Sequence, residues 1–154
     1  VLAQEPAWPR WLLHAQAVLT PHPGEMARLL QLSPTEVEAR RWQRAQEAAQ
    51  AWGQTVVLKG AHTVIAQPNG RLTISPFANP ALATAGSGDV LAGLIAGLLA
   101  QGLAPDSAAV AGVYIHGLAA ERLRPAFGAA GLLAGDLLPQ VPHVLNVLRS
   151  KNGG

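Results

Sequence analysis

Asn79-Pro80-Ala81-Leu82-Ala83-Thr84-Ala85-Gly86-Ser87-Gly88-Asp89 runs directly into the apolar block Val90-Leu91-Ala92-Gly93-Leu94-Ile95-Ala96-Gly97-Leu98-Leu99-Ala100-Gln101-Gly102. The stretch reads as a glycine-containing loop feeding a buried helix. Gly86 and Gly88 carry no Cβ, so neighbouring backbone N–H groups can converge on one anion, and the helix adds its positive end. This predicts a phosphate site. Asp89 falls in the first helical turn, where a carboxylate beside a phosphate is unfavourable unless proton or metal chemistry calls for it. It can take a proton from a hydroxyl while the amides hold a transferring phosphoryl group. It can equally do no more than cap the helix, and four residues do not decide between the two.

Upstream, Thr55-Val56-Val57-Leu58 is a β-branched run suited to a strand buried on both faces. Lys59-Gly60-Ala61-His62-Thr63 follows at its carboxyl end, where ligands bind in open α/β sheets. Val64-Ile65-Ala66 and Leu72-Thr73-Ile74-Ser75 then read as a hairpin across Pro68-Asn69-Gly70-Arg71. The only lysines are Lys59 and Lys151, the latter in the tail. Lys59 reads either as a nucleotide-phosphate contact, with Gly60 allowing close approach and Thr63 a hydroxyl, or as a solvated strand end.

Nearer the start, Trp8 to Ala17 reads as a short amphipathic helix leading to a strand at Val18-Leu19. Thr20-Pro21-His22-Pro23-Gly24-Glu25-Met26 then forms a proline-fixed turn into a helix. Ser33-Pro34-Thr35-Glu36 caps another helix, expected to run to about Trp52 and to stop at Gly53. Downstream, Pro105-Asp106-Ser107 opens a helix whose small residues, from Ala108 to Leu123, favour close packing on the helix that starts at Asp89. Pro125 to Gly131 reads as a loop. Ala134 to Arg149 reads as a last helix interrupted near Pro139 and Pro142, and Lys151 to Gly154 as a frayed tail.

The 154 residues suit one domain, 1–154, and 49% apolar against 13% charged residues excludes a disordered chain. Eleven basic residues face nine acidic ones. The one basic cluster, Arg40, Arg41 and Arg44, lies among Glu36, Glu38 and Glu47 as a solvated helix face would, so no nucleic-acid partner is expected. The absence of cysteine removes thiolate and disulfide chemistry and fits a cytoplasmic location. The apolar runs are too short for a membrane span, no signal peptide is visible, and the start without Met reads as a fragment or processed product. His14, His116 and His143 carry no metal-binding spacing. His116 and the four tryptophans Trp8, Trp11, Trp42 and Trp52 read as packing residues, with Trp42 or Trp52 a candidate for an interface.

The segment from Asn79 to Gly102 resembles the signature of the ribokinase-like superfamily. The Thr20 to Met26 loop resembles that of the NAD(P)H-hydrate dehydratases within it, and Lys59 to Thr63 is similar to their nucleotide-contacting loop. The resemblance covers about Leu19 to Gly102. It implies an α/β fold, the C-terminal part of a three-layer α/β/α sandwich, with a partial sheet and a β-hairpin. The activity it implies is dehydration of hydrated NADH and NADPH at the expense of ADP or ATP, supported by Mg²⁺. Asp89 would be the catalytic base, Gly86, Ser87 and Gly88 would hold the phosphate, and Lys59, Gly60, Ala61, His62 and Thr63 the nucleotide. His22 and Glu25, with Asp89, would meet the hydrated dinucleotide.

Family domains extend well upstream of the His-Pro-Gly-Glu loop, so the likeness is to the C-terminal half. A glycine-rich substrate contact is expected in the other half, and the sheet edges left open predict self-association into a homo-oligomer. An NAD(P)H-hydrate epimerase domain or protein is a further partner implied by the resemblance. Two alternatives stand beside it: a vitamin or sugar kinase that transfers phosphate without elimination, and a non-catalytic nucleotide-binding module. His22-Pro23-Gly24-Glu25 favours the dehydratases over the kinases.

Overall fold

The computed structural model describes residues 2–152. A four-stranded sheet in the order β1 (Val18–Leu19), β2 (Thr55–Leu58), β3 (Val64–Ala66), β4 (Leu72–Ile74) forms the middle layer. β1 and β2 are parallel, with Val18 opposite Thr55, and the β2–β3 and β3–β4 pairs are antiparallel. All four residues of β2 are buried, as its β-branched run predicts. Alternation along the strands divides the core between two faces. Val56, Leu58, Val64 and Ala66 pack with Trp8, Met26, Val37, Ala45 and Trp52 on one side. Val57 and Ile65 pack with Leu91, Ile95, Ala109 and Val113 on the other.

The first helical layer holds α1 (Pro23–Leu30), α2 (Pro34–Ala39) and α3 (Arg41–Trp52); the second holds α4 (Ser87–Ala100) and α5 (Pro105–Phe127). The result is the expected α/β/α sandwich. α6 (Ala134–Leu137) and α7 (Gln140–Asn152) restart around Pro139, as expected, and form a third cluster against α5 through Leu137 and Val144. Small residues bring α4 and α5 together as the composition suggested. A Cβ on Gly112 would stand 2.6 Å from Ile95 Cγ1, so only glycine fits at that crossing.

Four expectations are corrected. Trp8 to Ala17 is a 3₁₀ turn over Trp8–Leu12 followed by irregular chain, because buried Gln54 competes for its backbone. Gln54 Nε2 donates to the Leu12 and Ala15 carbonyls at 2.9 and 3.1 Å, and its Oε1 accepts from Ala17 N–H at 2.7 Å. The helix expected from Ser33 to Trp52 breaks at Arg40 (φ −138°, ψ 43°) into α2 and α3, with Gly53 stopping α3 as read. α4 buries one face only, through Ser87, Leu91 and Ile95, while Ala92, Gly93, Ala96, Gly97 and Ala100 are exposed. Finally, α5 runs through Pro125 to Phe127, where a loop was expected. A proline in the last turn removes one ladder bond, and Gly128 N–H closes the end on the Arg124 carbonyl at 2.8 Å. In the tail, α7 reaches Asn152, and Gly153-Gly154 lie outside the described residues.

Candidate functional site

The carboxyl ends of the parallel strands β1 and β2 lie side by side and deliver two loops to one place. Lys59 N–H donates to the Pro21 carbonyl at 2.9 Å and ties the loops together. On the β1 side, His22 is the N-cap of α1: its Nδ1 accepts from Gly24 and Glu25 N–H at 3.1 and 3.2 Å. Glu25 reaches back to accept from His22 N–H at 2.6 Å, completing a capping box. Because Nδ1 accepts, the neutral ring carries its proton on Nε2. Partial burial works to raise the Glu25 pKa, but the His22 N–H, the Lys59 ammonium and the His22 ring outweigh it and hold the carboxyl below its ordinary range.

On the β2 side, Lys59 is half-buried and reaches across the site. Its Nζ lies 3.5 Å from Glu25 Oε2, and a Cβ on Gly88 would stand 3.1 Å from the same nitrogen. The ammonium therefore spans the two predicted ligand-binding loops. Thr63 Oγ1 donates to the Gly60 carbonyl at 3.1 Å and closes the loop on itself. His62 turns outward at φ +53°, with its N–H on the Phe77 carbonyl and its Nδ1 3.1 Å from the Ser75 carbonyl.

The third contribution comes from the segment before α4. Asn79 Oδ1 accepts from Ala81 N–H at 3.0 Å and starts a 3₁₀ turn, Pro80–Ala83. Buried Ser87 donates its hydroxyl to the Leu82 carbonyl at 2.6 Å and locks that turn to the helix. Gly86 sits at φ +84°, where glycine is the residue without strain. The N–H groups of Ser87 and Asp89 are used inside the turn, on the Thr84 and Gly86 carbonyls. Those of Gly86 and Gly88 have no acceptor among the described residues. Two glycine amides at the N-terminal end of α4 are thus left without internal acceptors, an arrangement that can receive an anion. Asp89 is exposed in the first turn, and its carboxylate makes no hydrogen bond or ion pair among the described residues.

The loops enclose a cavity of about 610 Å³. Of the residues singled out in the sequence, His22, Lys59, Gly60, Ala61, Thr63, Ser87 and Gly88 line it. Glu25, His62, Gly86 and Asp89 are not part of its lining, and Glu25 instead borders a smaller cavity of about 400 Å³ beside α1. The polar end, at Lys59 and Gly88, passes into an apolar end walled by Phe77, Leu82, Leu91 and Val113. His116 of α5 lines that cavity and is 7% exposed, yet its Nε2 has no hydrogen-bond partner. Burial pushes its pKa down to about 4, against the opposing pull of the Ser87 carbonyl, so the ring is neutral at pH 7. The expectation of a packing residue is half met: the ring is buried, but its Nε2 is unpaired. Arg41, expected on a solvated face, instead turns inward to the Lys59 loop through three carbonyls. Neither residue had a local sequence signal: the carbonyls that take the Arg41 guanidinium lie 17 to 20 positions away, and the setting of His116 follows from how α5 packs over the cavity.

A sheet flanked by helices on both faces, with a glycine cradle at a helix N-terminus beside parallel strand ends, defines a ribokinase-like α/β domain. A family model described as NAD(P)H-hydrate dehydratase matches residues 2–143. The bifunctional NAD(P)H-hydrate repair enzyme Nnr of Moorella thermoacetica is 49% identical over 138 residues, which are 90% of this chain and 26% of that protein. The ADP-dependent (S)-NAD(P)H-hydrate dehydratase of Neisseria meningitidis serogroup B is 47% identical over 84% of this chain and 44% of its own length. The solved ADP/ATP-dependent NAD(P)H-hydrate dehydratase of Bacillus subtilis, co-crystallised with ATP/Mg²⁺, superposes with a TM-score of 0.81 at 39% identity, covering 85% of this chain and 47% of that one. The chain belongs to the NAD(P)H-hydrate dehydratase family. It spans between about a quarter and about half the length of these relatives.

Proposed function

We propose that residues 1–154 are the C-terminal part of a dehydratase domain that returns hydrated NADH and NADPH to their reduced forms, using ADP or ATP. The convergence of three loops on one cavity, with Lys59 spanning Glu25 and Gly88, carries this reading. Hydroxide is a poor leaving group, and transferring the terminal phosphoryl group of the nucleotide onto the ring hydroxyl makes the oxygen leave as phosphate. The Gly86 and Gly88 amides, the α4 N-terminus and the Lys59 ammonium hold the phosphoryl group and offset the charge developing on it. Asp89, one residue beyond the cradle and free of competing partners among the described residues, takes the hydroxyl proton as the oxygen attacks. Phosphate then departs with the electron pair of the C–O bond, and the neighbouring ring carbon gives up a proton to solvent, its C–H electron pair re-forming the ring double bond.

Lys59 to Thr63 hold the nucleotide, and His22 and Glu25 the hydrated dinucleotide. Among the described residues no group of three His, Asp or Glu side chains could hold a metal by protein atoms alone. This suits an ion brought in on nucleotide phosphates, since Mg²⁺ keeps water and phosphate oxygens as most of its ligands. When bound, Mg²⁺ supplies positive charge to the phosphate oxygens. No helix among the described residues is long and apolar enough to cross a membrane. The exposed β1 edge and the bare face of α4 fit a chain that associates with more protein, whether a second copy or an epimerase domain.

The test is an assay of hydrated NADH with ADP, ATP or AMP in the presence of Mg²⁺, followed by the return of the reduced nicotinamide absorbance. Return with ADP or ATP and none with AMP, which has no phosphoryl group to give up without losing its only phosphate, supports the reading. Return independent of nucleotide, or no return with any, overturns it for this chain.

A further inference from the structure

Arg41 opens α3 immediately after the break at Arg40. A cation in the first turn faces the positive end of the helix dipole, so local helix stability does not account for it. Its guanidinium reaches instead to the nucleotide loop. Nη1 donates to the Ala61 carbonyl at 3.0 Å, and Nη2 to the Lys59 and Leu58 carbonyls at 3.1 and 3.4 Å. On its other side Nε lies 3.5 Å from Glu38 Oε2, which holds the side chain's charge in place. The side chain is only 15% exposed, well away from a solvated position.

Gly60 is fitted to this arrangement. It takes φ +148°, and a Cβ on it would stand 2.5 Å from Arg41 Nη2, so the guanidinium occupies the space a side chain would need. One planar fork thus holds the carbonyls on either side of Gly60. The Lys59 N–H is held separately, by the Pro21 carbonyl, and Lys59, Gly60, Ala61 and Thr63 line the cavity. Arg41 itself does not line it.

We propose that Arg41 is a positioning residue for the nucleotide loop: by fixing the Leu58, Lys59 and Ala61 carbonyls it aims the Lys59 ammonium and the Gly60–Thr63 backbone at the bound phosphates. The proposal rests on the reading that this loop holds an adenine nucleotide. It requires arginine in particular, because a lysine ammonium is a single point of charge and cannot span three carbonyls.

Two measurements on Arg41→Lys and Arg41→Gln test it: amide hydrogen exchange without nucleotide, and calorimetric titration with ADP. Arg41→Lys keeps the charge and the pairing with Glu38, so it retains the fold even where Arg41→Gln does not. In Arg41→Lys, exchange should quicken at residues 59–63 and stay unchanged in β3 and α4. The ADP dissociation constant should rise roughly ten- to a hundredfold, as expected for misplaced ligand contacts. Unchanged exchange at residues 59–63, or quickening spread evenly over the sheet, overturns the positioning role. So does ADP affinity equal to that of the wild type. If the wild type binds no ADP, the functional reading fails, while the exchange data still decide the role of Arg41.

Discussion

Replacing Gly88 by alanine should raise stability while weakening nucleotide binding, two effects that a purely structural glycine would not combine. Gly88 lies in the first turn of α4 without a positive φ, so alanine meets no backbone strain there. Relieving the entropic cost of a helical glycine is worth about 0.5–1 kcal/mol, or roughly 1–4 °C in Tm for a domain of this size. The new Cβ, however, would stand 3.1 Å from Lys59 Nζ, closer than carbon and nitrogen ordinarily approach. The ammonium must shift by a few tenths of an ångström, and the methyl group intrudes on the unpartnered Gly88 amide. A hydrogen bond from that amide to a phosphate oxygen is worth about 1.5–3 kcal/mol, so ADP affinity should fall roughly ten- to a hundredfold. Thermal melting and calorimetric titration of the same preparation read both quantities. Undiminished ADP affinity would refute the assignment of Gly88 to the cradle, and a lowered Tm would show that the glycine serves the fold.

Further outcomes follow from the buried polar groups. His116 takes up a proton readily when unfolded, near pH 6.5, but not until about pH 4 when folded. The unfolded chain binds more protons between these values. Stability is therefore full above about pH 6.5 and is lost as the pH falls towards 4, by an amount of the order of 3 kcal/mol. Denaturant melts across that range should show a much flatter decline for His116→Asn; an identical slope would mean that another group governs the acid limb. Gln54→Leu leaves the Ala15 carbonyl and the Ala17 N–H without a partner among the described residues, and the Leu12 carbonyl with the Ala15 N–H alone. This should cost about 2 kcal/mol, a Tm loss of roughly 4–8 °C, and an unchanged Tm would show that water replaces the amide at no cost.

The sequence and the structure agree where a signal is local. β2, the hairpin after it and the His22 turn are each written in a few adjacent residues: β-branched runs, Asn-Gly, and a proline-fixed cap. The loops that line the candidate site were legible for the same reason, since glycine and proline state backbone requirements directly. What escaped was set by partners distant in the chain. The Trp8 to Ala17 helix yields to Gln54, 37 residues beyond the amide it captures. Arg40, Arg41 and Arg44 look alike in sequence, and only the break at Arg40 and the fold of β2 against α3 turn Arg41 inward. His116 has the surroundings of a core residue, and its open Nε2 follows from the packing of α5 over the cavity. The apolar run of α4 likewise predicted burial all round, yet the helix spacing leaves its small-residue face exposed.

The central claim is that Asp89 performs proton transfer at a site whose nucleotide is held by other groups. Asp89→Asn preserves the shape of the side chain and removes its basicity, so paired measurements of ADP binding and of hydrated NADH turnover, on this variant and the wild type, test the claim most directly. The account predicts that the variant binds ADP as the wild type does and restores no NADH. Turnover by the variant at the wild-type rate, or loss of ADP binding together with turnover, would contradict it.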